Sequence, residues 1–179
     1  EFACILKNLG VNVHVFFRSD FPLRGFDKDI RVKLSNILVN SRINLHPNSK
    51  LKSLSLHNGS YILEVNNEKL TFEKVLNALG RAPNINLATK NIKLKLGPNK
   101  EVIVNEKSES SEKGIFAIGD VTNRVNLTPV AIEEGRAVAE NEFNNKEIIV
   151  NHKTIASAVF TSPPIGTIGM TEEEAIKQS

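Results

Sequence analysis

The residues best placed to do chemistry are Asp120 and the pair Arg18 and Arg24. Gly119-Asp120 closes a short apolar run, Ile115 to Ile118, that begins after Gly114. Such a run reads as a buried strand. At its end the backbone lets a ligand approach closely at glycine, and a carboxylate can accept bonds from sugar hydroxyls. A loop then leads to Thr128-Pro129, which opens a helix with Thr128 as N-cap and Pro129 at the first helical position. Strand end, acid and helix N-terminus together make a site for a polyhydroxylated, electron-rich ligand. Arg18 ends a second apolar run, Val11 to Phe17, and Arg24 follows in Arg-Ser-Asp-Phe-Pro-Leu-Arg. Two guanidinium forks converging on one phosphate is sound chemistry. The alternative is two solvated loop arginines, with Asp20 available to pair with either.

The elements that must position these groups follow from periodicity. Phe2, Ile5, Leu6 and Leu9 fall at helical spacing and Gly10 supplies a stop. Val11 to Phe17, rich in Val and Phe, reads as a strand. Helix, glycine, strand is the second half of a βαβ dinucleotide-binding unit, whose first strand and glycine-rich turn would precede Glu1. Asp27 is the expected N-cap of a helix through Asn40 with Ile30, Leu34, Ile37 and Leu38 on its buried face. Ile43 and Leu45 mark a short strand. Asn58-Gly59 and Asn66-Asn67 turn an antiparallel meander that ends in Lys69 to Phe72. Lys74 to Leu79 reads as another apolar strand, and Val102 to Val104 as a short one. The stretch 88–100 is polar and turn-rich, and Asn105 to Lys113 is a solvated loop. The helix from Pro129 reaches about Phe143, with Val130, Ala131, Val138 and Ala139 inward and Gly135 permitting close packing. Ala156 to Thr161 is a strand, and Thr171 with Glu174 makes a capping box.

Composition narrows the class. The chain has 179 residues, 40% hydrophobic and 24% charged, which suits a globular protein. No apolar run approaches a membrane span, and the N-terminus does not read as a secretory signal. The chain lacks an initiator Met and begins mid-pattern, so it reads as cut from something longer. The net charge of +3 suits small anionic ligands. No Lys/Arg stripe with interleaved aromatics argues for nucleic acid. The single cysteine, Cys4, excludes an internal disulfide and fits a reducing, cytoplasmic setting, with the thiol buried on an apolar helix.

The stretch Gly-Ile-Phe-Ala-Ile-Gly-Asp with its Leu-Thr-Pro turn resembles the second flavin-binding motif of the pyridine nucleotide-disulfide oxidoreductases. Val-Phe-Phe-Arg-Ser-Asp-Phe-Pro-Leu-Arg-Gly-Phe-Asp resembles the NADPH-selecting segment of that family's glutathione reductases and trypanothione-reducing relatives. Ala-Leu-Gly-Arg-Ala-Pro-Asn resembles the segment where the chain leaves the NADPH domain for the flavin domain. The likeness covers nearly the whole chain. It implies an α/β fold: parts of two Rossmann-like dinucleotide-binding domains, for NADPH and FAD, with antiparallel meanders, then the start of an α+β dimerisation domain. The implied boundaries are 1–81, 82–152 and 153–179.

The resemblance also implies roles. Arg18 and Arg24 bind the NADPH 2′-phosphate, and Gly80 lets the nucleotide approach. Arg81 lies near both cofactors; a salt-bridged hinge residue is the other reading. Glu1 matches a glutamate that pairs with a lysine near the nicotinamide. Asp120 takes the ribityl or adjoining phosphate end of FAD. Asn126, Leu127, Thr128 and Pro129 pass under the flavin ring, where the helix N-terminus stabilises negative charge. The family's activity would be reduction of a disulfide, here oxidised glutathione, by NADPH through FAD and a redox-active cysteine pair, in a homodimer. Alternatives are a trypanothione, dihydrolipoamide or mercuric-type reductase, or a truncated non-catalytic nucleotide-binding module. The Cys-x4-Cys pair is not in this chain. None of His14, His46, His57 and His152 sits in the family's His-Pro-Thr context, so no residue here is assigned to catalysis or to a metal.

Overall fold

The computed structural model describes residues 1–86 and 92–178. The start of the polar stretch, Ala88 to Asn91, and Ser179 lie outside the described residues. The chain divides into two compact units, 1–77 with 156–179, and 78–155.

The first unit is built on a parallel βαβ crossover. Helix α1 (Phe2–Asn8) is followed by β1 (His14–Phe16), α2 (Lys28–Asn40) and β2 (Asn44–His46), with His14 opposite Asn44 and Phe16 opposite His46. Parallel strands cannot be joined by a tight turn, so α2 serves as the crossover. The core is Cys4, Val13, Leu34, Leu38 and Ile43, with Ala3, Leu6 and Val15 packed against it. Burial of Leu34 and Leu38 contributes roughly 1.5–3 kcal/mol each. Asp27 occupies the N-cap position of α2 as expected, but its carboxylate accepts the Glu172 N–H at 2.7 Å instead of capping its own helix.

A three-stranded antiparallel meander follows: β3 (Leu51–His57), β4 (Ser60–Val65) and β5 (Glu68–Phe72). Its turns fall where the asparagines place them. Asn58 and Gly59 take φ of 48° and 81°, Asn66 and Asn67 of 49° and 67°, the left-handed pairs that two-residue hairpin loops need. The unit closes with the antiparallel pair β6 (Ser157–Val159) and β7 (Ile165–Thr167), then α4 (Glu172–Gln178). The capping box forms: Glu174 Oε2 accepts the Thr171 N–H at 2.8 Å and Glu174 N donates to Thr171 Oγ1 at 3.3 Å.

The second unit has one long helix, α3 (Thr128–Asn144), packed against a single 3₁₀ turn, Gly119–Thr122. The other described residues of this unit are extended or looped, with isolated bridges from Leu96 to Val102 and from Glu109 to Phe116.

Several expectations need correction. Ile115 to Ile118 is extended but forms no strand, and Ile118 is exposed. Its neighbours bond into the 105–113 loop instead, with Ala117 N donating to Ser108 O and Ser110 N to Ile115 O. Lys74 to Leu79 is likewise irregular, and Val102 to Val104 is reduced to one bridge. An apolar run becomes a strand only where another strand's N–H and C=O groups meet it. Val11 to Phe17 and Ala156 to Thr161 shorten to three-residue strands. On α1 the face toward the core is Ala3, Cys4 and Leu6, while Phe2, Ile5 and Leu9 are exposed. Ile30 and Ala139 are exposed as well, and the buried stripe of α3 is Val130, Glu134 and Ala137.

Candidate functional site

Gly119 takes φ +66°, and a Cβ built on it would lie 3.0 Å from Ala131 Cβ on α3. Both the backbone angle and the close helix demand glycine. Gly135, one turn along α3, faces Ile118 in the same way, its built Cβ 3.2 Å from Cδ1. The chain therefore turns hard against the helix, and Asp120 begins the 3₁₀ turn. Thr122 Oγ1 donates to Gly119 O at 2.8 Å, and left-handed Asn123 donates its N–H to Asp120 O at 3.1 Å. Asp120 is exposed, with Oδ2 3.6 Å from Arg81 Nε. Gly80, at φ +121°, has open space where a Cβ would stand.

The start of α3 lies one residue earlier than expected. Leu127 is the N-cap, its carbonyl accepting from Ala131 N at 3.1 Å, so Thr128 and Pro129 are the first two helical residues and Thr128 does not cap. A one-residue shift is ordinary at a helix end. No side chain caps the helix, so its first-turn N–H groups are open to a ligand or water. Asn126, Thr128 and Pro129 are exposed and Leu127 is half-buried. Asn126 Nδ2 bonds Asn123 Oδ1 at 3.2 Å.

Beneath this surface lies a group that sequence reading missed. Glu134 is 1% exposed. Its Oε2 accepts the Gly119 N–H at 2.6 Å, and its Oε1 meets Arg124 Nη2 and His152 Nε2, each at 2.7 Å. Arg124 also bonds Ser108 Oγ at 2.9 Å. A buried carboxylate is tolerated only with such partners. The available signal was an acid at position i+4 from Val130 and i−3 from Ala137, inside the apolar stripe.

In the first unit Arg18 and Arg24 sit on one loop, both exposed, and neither has a hydrogen bond or ion pair among the described residues. Asp20 pairs with neither; its Oδ1 accepts from Asn48 Nδ2 at 3.1 Å. The loop itself is pinned. Arg31 on α2 donates to Pro22 O at 2.8 Å and Phe21 O at 2.7 Å, and Ser49 N donates to Phe17 O at 2.9 Å. Arg31 is a second residue sequence reading passed over. Glu1, expected to meet a lysine, has Oε1 accepting the Phe160 N–H at 2.9 Å. His14 Nδ1 and His46 Nε2 bond at 2.9 Å, and His46 stacks on Phe16 at 4.2 Å between ring centroids. Burial, then the neighbouring His14, lowers the His46 pKa.

These donor sets fit the groups that the resemblance implies. Asp120 offers acceptors for hydroxyls, Arg81 a cation, Gly119 a backbone with no room for a side chain, and α3 an uncapped N-terminus. Arg18 and Arg24 offer uncommitted forks for a phosphate. Among the described residues no group of three or more His, Cys, Asp or Glu is arranged to hold a metal. Nor is any described helix long and apolar enough to cross a membrane.

A family model described as pyridine nucleotide-disulphide oxidoreductase matches residues 1–135. The chain is 38% identical to glutathione reductase of Nostoc sp., the alignment covering 98% of this chain and 41% of that protein. It is 40% identical to the chloroplastic/mitochondrial glutathione reductase of Pisum sativum, covering 99% and 33%. It is 38% identical to trypanothione reductase of Trypanosoma congolense, covering 99% and 37%. The chain thus spans well under half the length of these curated relatives. The HOCl-induced flavoprotein disulfide reductase RclA from Escherichia coli aligns at TM-score 0.90 and 24% identity, over 98% of this chain and 41% of that one. LpdA from Mycobacterium tuberculosis aligns at 0.92 and 24%, over 100% and 39%. At that identity the two structures speak for the fold.

Proposed function

The chain belongs to the pyridine nucleotide-disulphide oxidoreductase family, and we propose that it is the central part of an NADPH-dependent, FAD-containing reductase of glutathione disulfide. When bound, FAD would supply the means to pass electrons from NADPH to a disulfide. This chain's residues bind and orient. Arg18 and Arg24 donate to the 2′-phosphate, which NADH lacks. Arg31 keeps their loop in place without touching the nucleotide. Gly80 leaves room for a nucleotide to approach the backbone. Asp120 accepts from ribityl hydroxyls, and Arg81 adds a positive charge beside it. Asn126, Leu127, Thr128 and Pro129 present the N-terminus of α3, whose partial positive charge favours electron density gathering nearby. Glu1, accepting the Phe160 N–H, also steadies the start of α1.

The observation that carries the reading is the pair of uncommitted arginines on a pinned loop. Two cations held at the surface without an acidic partner are what a dianionic phosphate requires. The full-length protein is expected to be a cytoplasmic homodimer and to use a cysteine pair from outside this chain, since Cys4 is buried in the core. The test is turnover of that full-length protein with NADPH or NADH against glutathione disulfide, trypanothione disulfide and lipoamide. Turnover of glutathione disulfide with NADPH supports the proposal. Preference for trypanothione disulfide, which relatives at 38% and 40% identity are named for, would replace the substrate and keep the cofactor. Preference for NADH would overturn the arginine assignment.

A further inference from the structure

We propose that Glu134 is a positioning residue for Asp120: a buried carboxylate whose purpose is to hold the Gly119-Asp120 turn in the shape that binds flavin. The inference rests on the flavin reading of Asp120. Glu134 sits on the core-facing stripe of α3, where Leu, Ile or Met would fill the space at lower desolvation cost. Its carboxylate instead reaches the N–H of Gly119, the residue before Asp120, at 2.6 Å. That N–H is buried and has no ladder partner, because the run before it forms no strand. Left unmet, this buried donor would carry its full desolvation penalty, and the turn would relax toward some other acceptor.

The other carboxylate oxygen is held from two directions. Arg124 comes from the loop that follows the turn, and His152 from the stretch after α3. Arg124 carries the tie further, to Thr122 Oγ1 at 3.3 Å and to Ser108 Oγ at 2.9 Å. Ser108 O in turn accepts from Ala117 N at 3.0 Å. The segments on both sides of Gly119-Asp120 are thus bonded to one charge. Glu134 itself is 1% exposed and acts through the turn.

The experiment is a double-mutant cycle on the full-length protein, read as FAD affinity of the apoprotein by quenching of flavin fluorescence, with urea midpoints alongside. Asp120→Ala and Glu134→Ala are each expected to weaken FAD binding by about tenfold or more. The double variant is expected to bind no more weakly than Asp120→Ala alone, because Glu134 has nothing left to position. Additive losses would place the action of Glu134 elsewhere and overturn the proposal, as would unchanged affinity in Glu134→Ala. Unchanged affinity in Asp120→Ala would instead sink the flavin reading beneath it. If Glu134→Ala does not fold, Glu134→Gln serves: its amide oxygen can still accept from Gly119, so coupling to Asp120→Ala should persist at reduced size. Full additivity in that cycle overturns the proposal equally.

Discussion

Arg81 Nε lies 3.6 Å from Asp120 Oδ2 with both side chains exposed, so two residues far apart in the chain meet beside the open end of α3. An exposed pair at this distance contributes little to stability, since water screens the attraction and both side chains lose freedom. Its value is placement. Arg81→Gln is therefore expected to leave the urea midpoint of the full-length protein unchanged while weakening FAD affinity by about tenfold. A fall in midpoint with unchanged affinity would mark the pair as a structural hinge.

Among the described residues Arg18 and Arg24 have no side-chain partner to lose, so their removal is expected to cost no stability. Each Arg→Ala change should reduce the preference for NADPH over NADH by about tenfold, and the double change by about a hundredfold. The measurement is kcat/KM for the two nucleotides. Equal preference before and after substitution would return both arginines to solvated loop residues.

Arg31 should behave in the opposite way. Arg31→Leu strips two carbonyls, Phe21 O and Pro22 O, of their donor. The expected result is a stability loss of about 1–3 kcal/mol by urea unfolding and a raised KM for NADPH with kcat little changed. An unaltered KM would show that the loop holds its shape without the pin.

The His14 and His46 pair predicts a pH dependence. Their ring nitrogens share a hydrogen bond that needs one donor and one acceptor, and the His46 pKa is lowered from its ordinary 6.5 by burial and by His14. The folded chain thus takes up this proton at lower pH than the unfolded chain. Stability is full above the ordinary histidine value and declines as pH falls from there through the folded pKa. The urea midpoint should therefore drop as pH falls below the ordinary histidine value of 6.5, and His46→Gln should flatten that slope. A midpoint that is flat in the unmutated protein, or equally steep in the variant, would dismiss the pair as the cause.

Much was legible along the chain because its causes are local. The turns at Asn58-Gly59 and Asn66-Asn67, the helix through Asn40 and the Thr171–Glu174 box follow from backbone preferences and short-range hydrogen bonds. The family likeness also lay in contiguous motifs. By itself, then, the sequence singled out the residues proposed to bind the cofactors, Arg18, Arg24 and Asp120, by type and setting.

Only the tertiary structure decided which polar groups meet. Arg81 with Asp120, Arg31 with the 18–26 loop, and Glu134 with Gly119, Arg124 and His152 are contacts between segments distant along the chain. The same holds for the failed expectations. Ile115 to Ile118 has the composition of a strand, but a strand exists only where a neighbour completes its ladder. In the sequence Glu134 is one acid among several on a helix. Its burial depends on what packs over α3, and a charge is kept inside a fold only by partners that the fold brings to it.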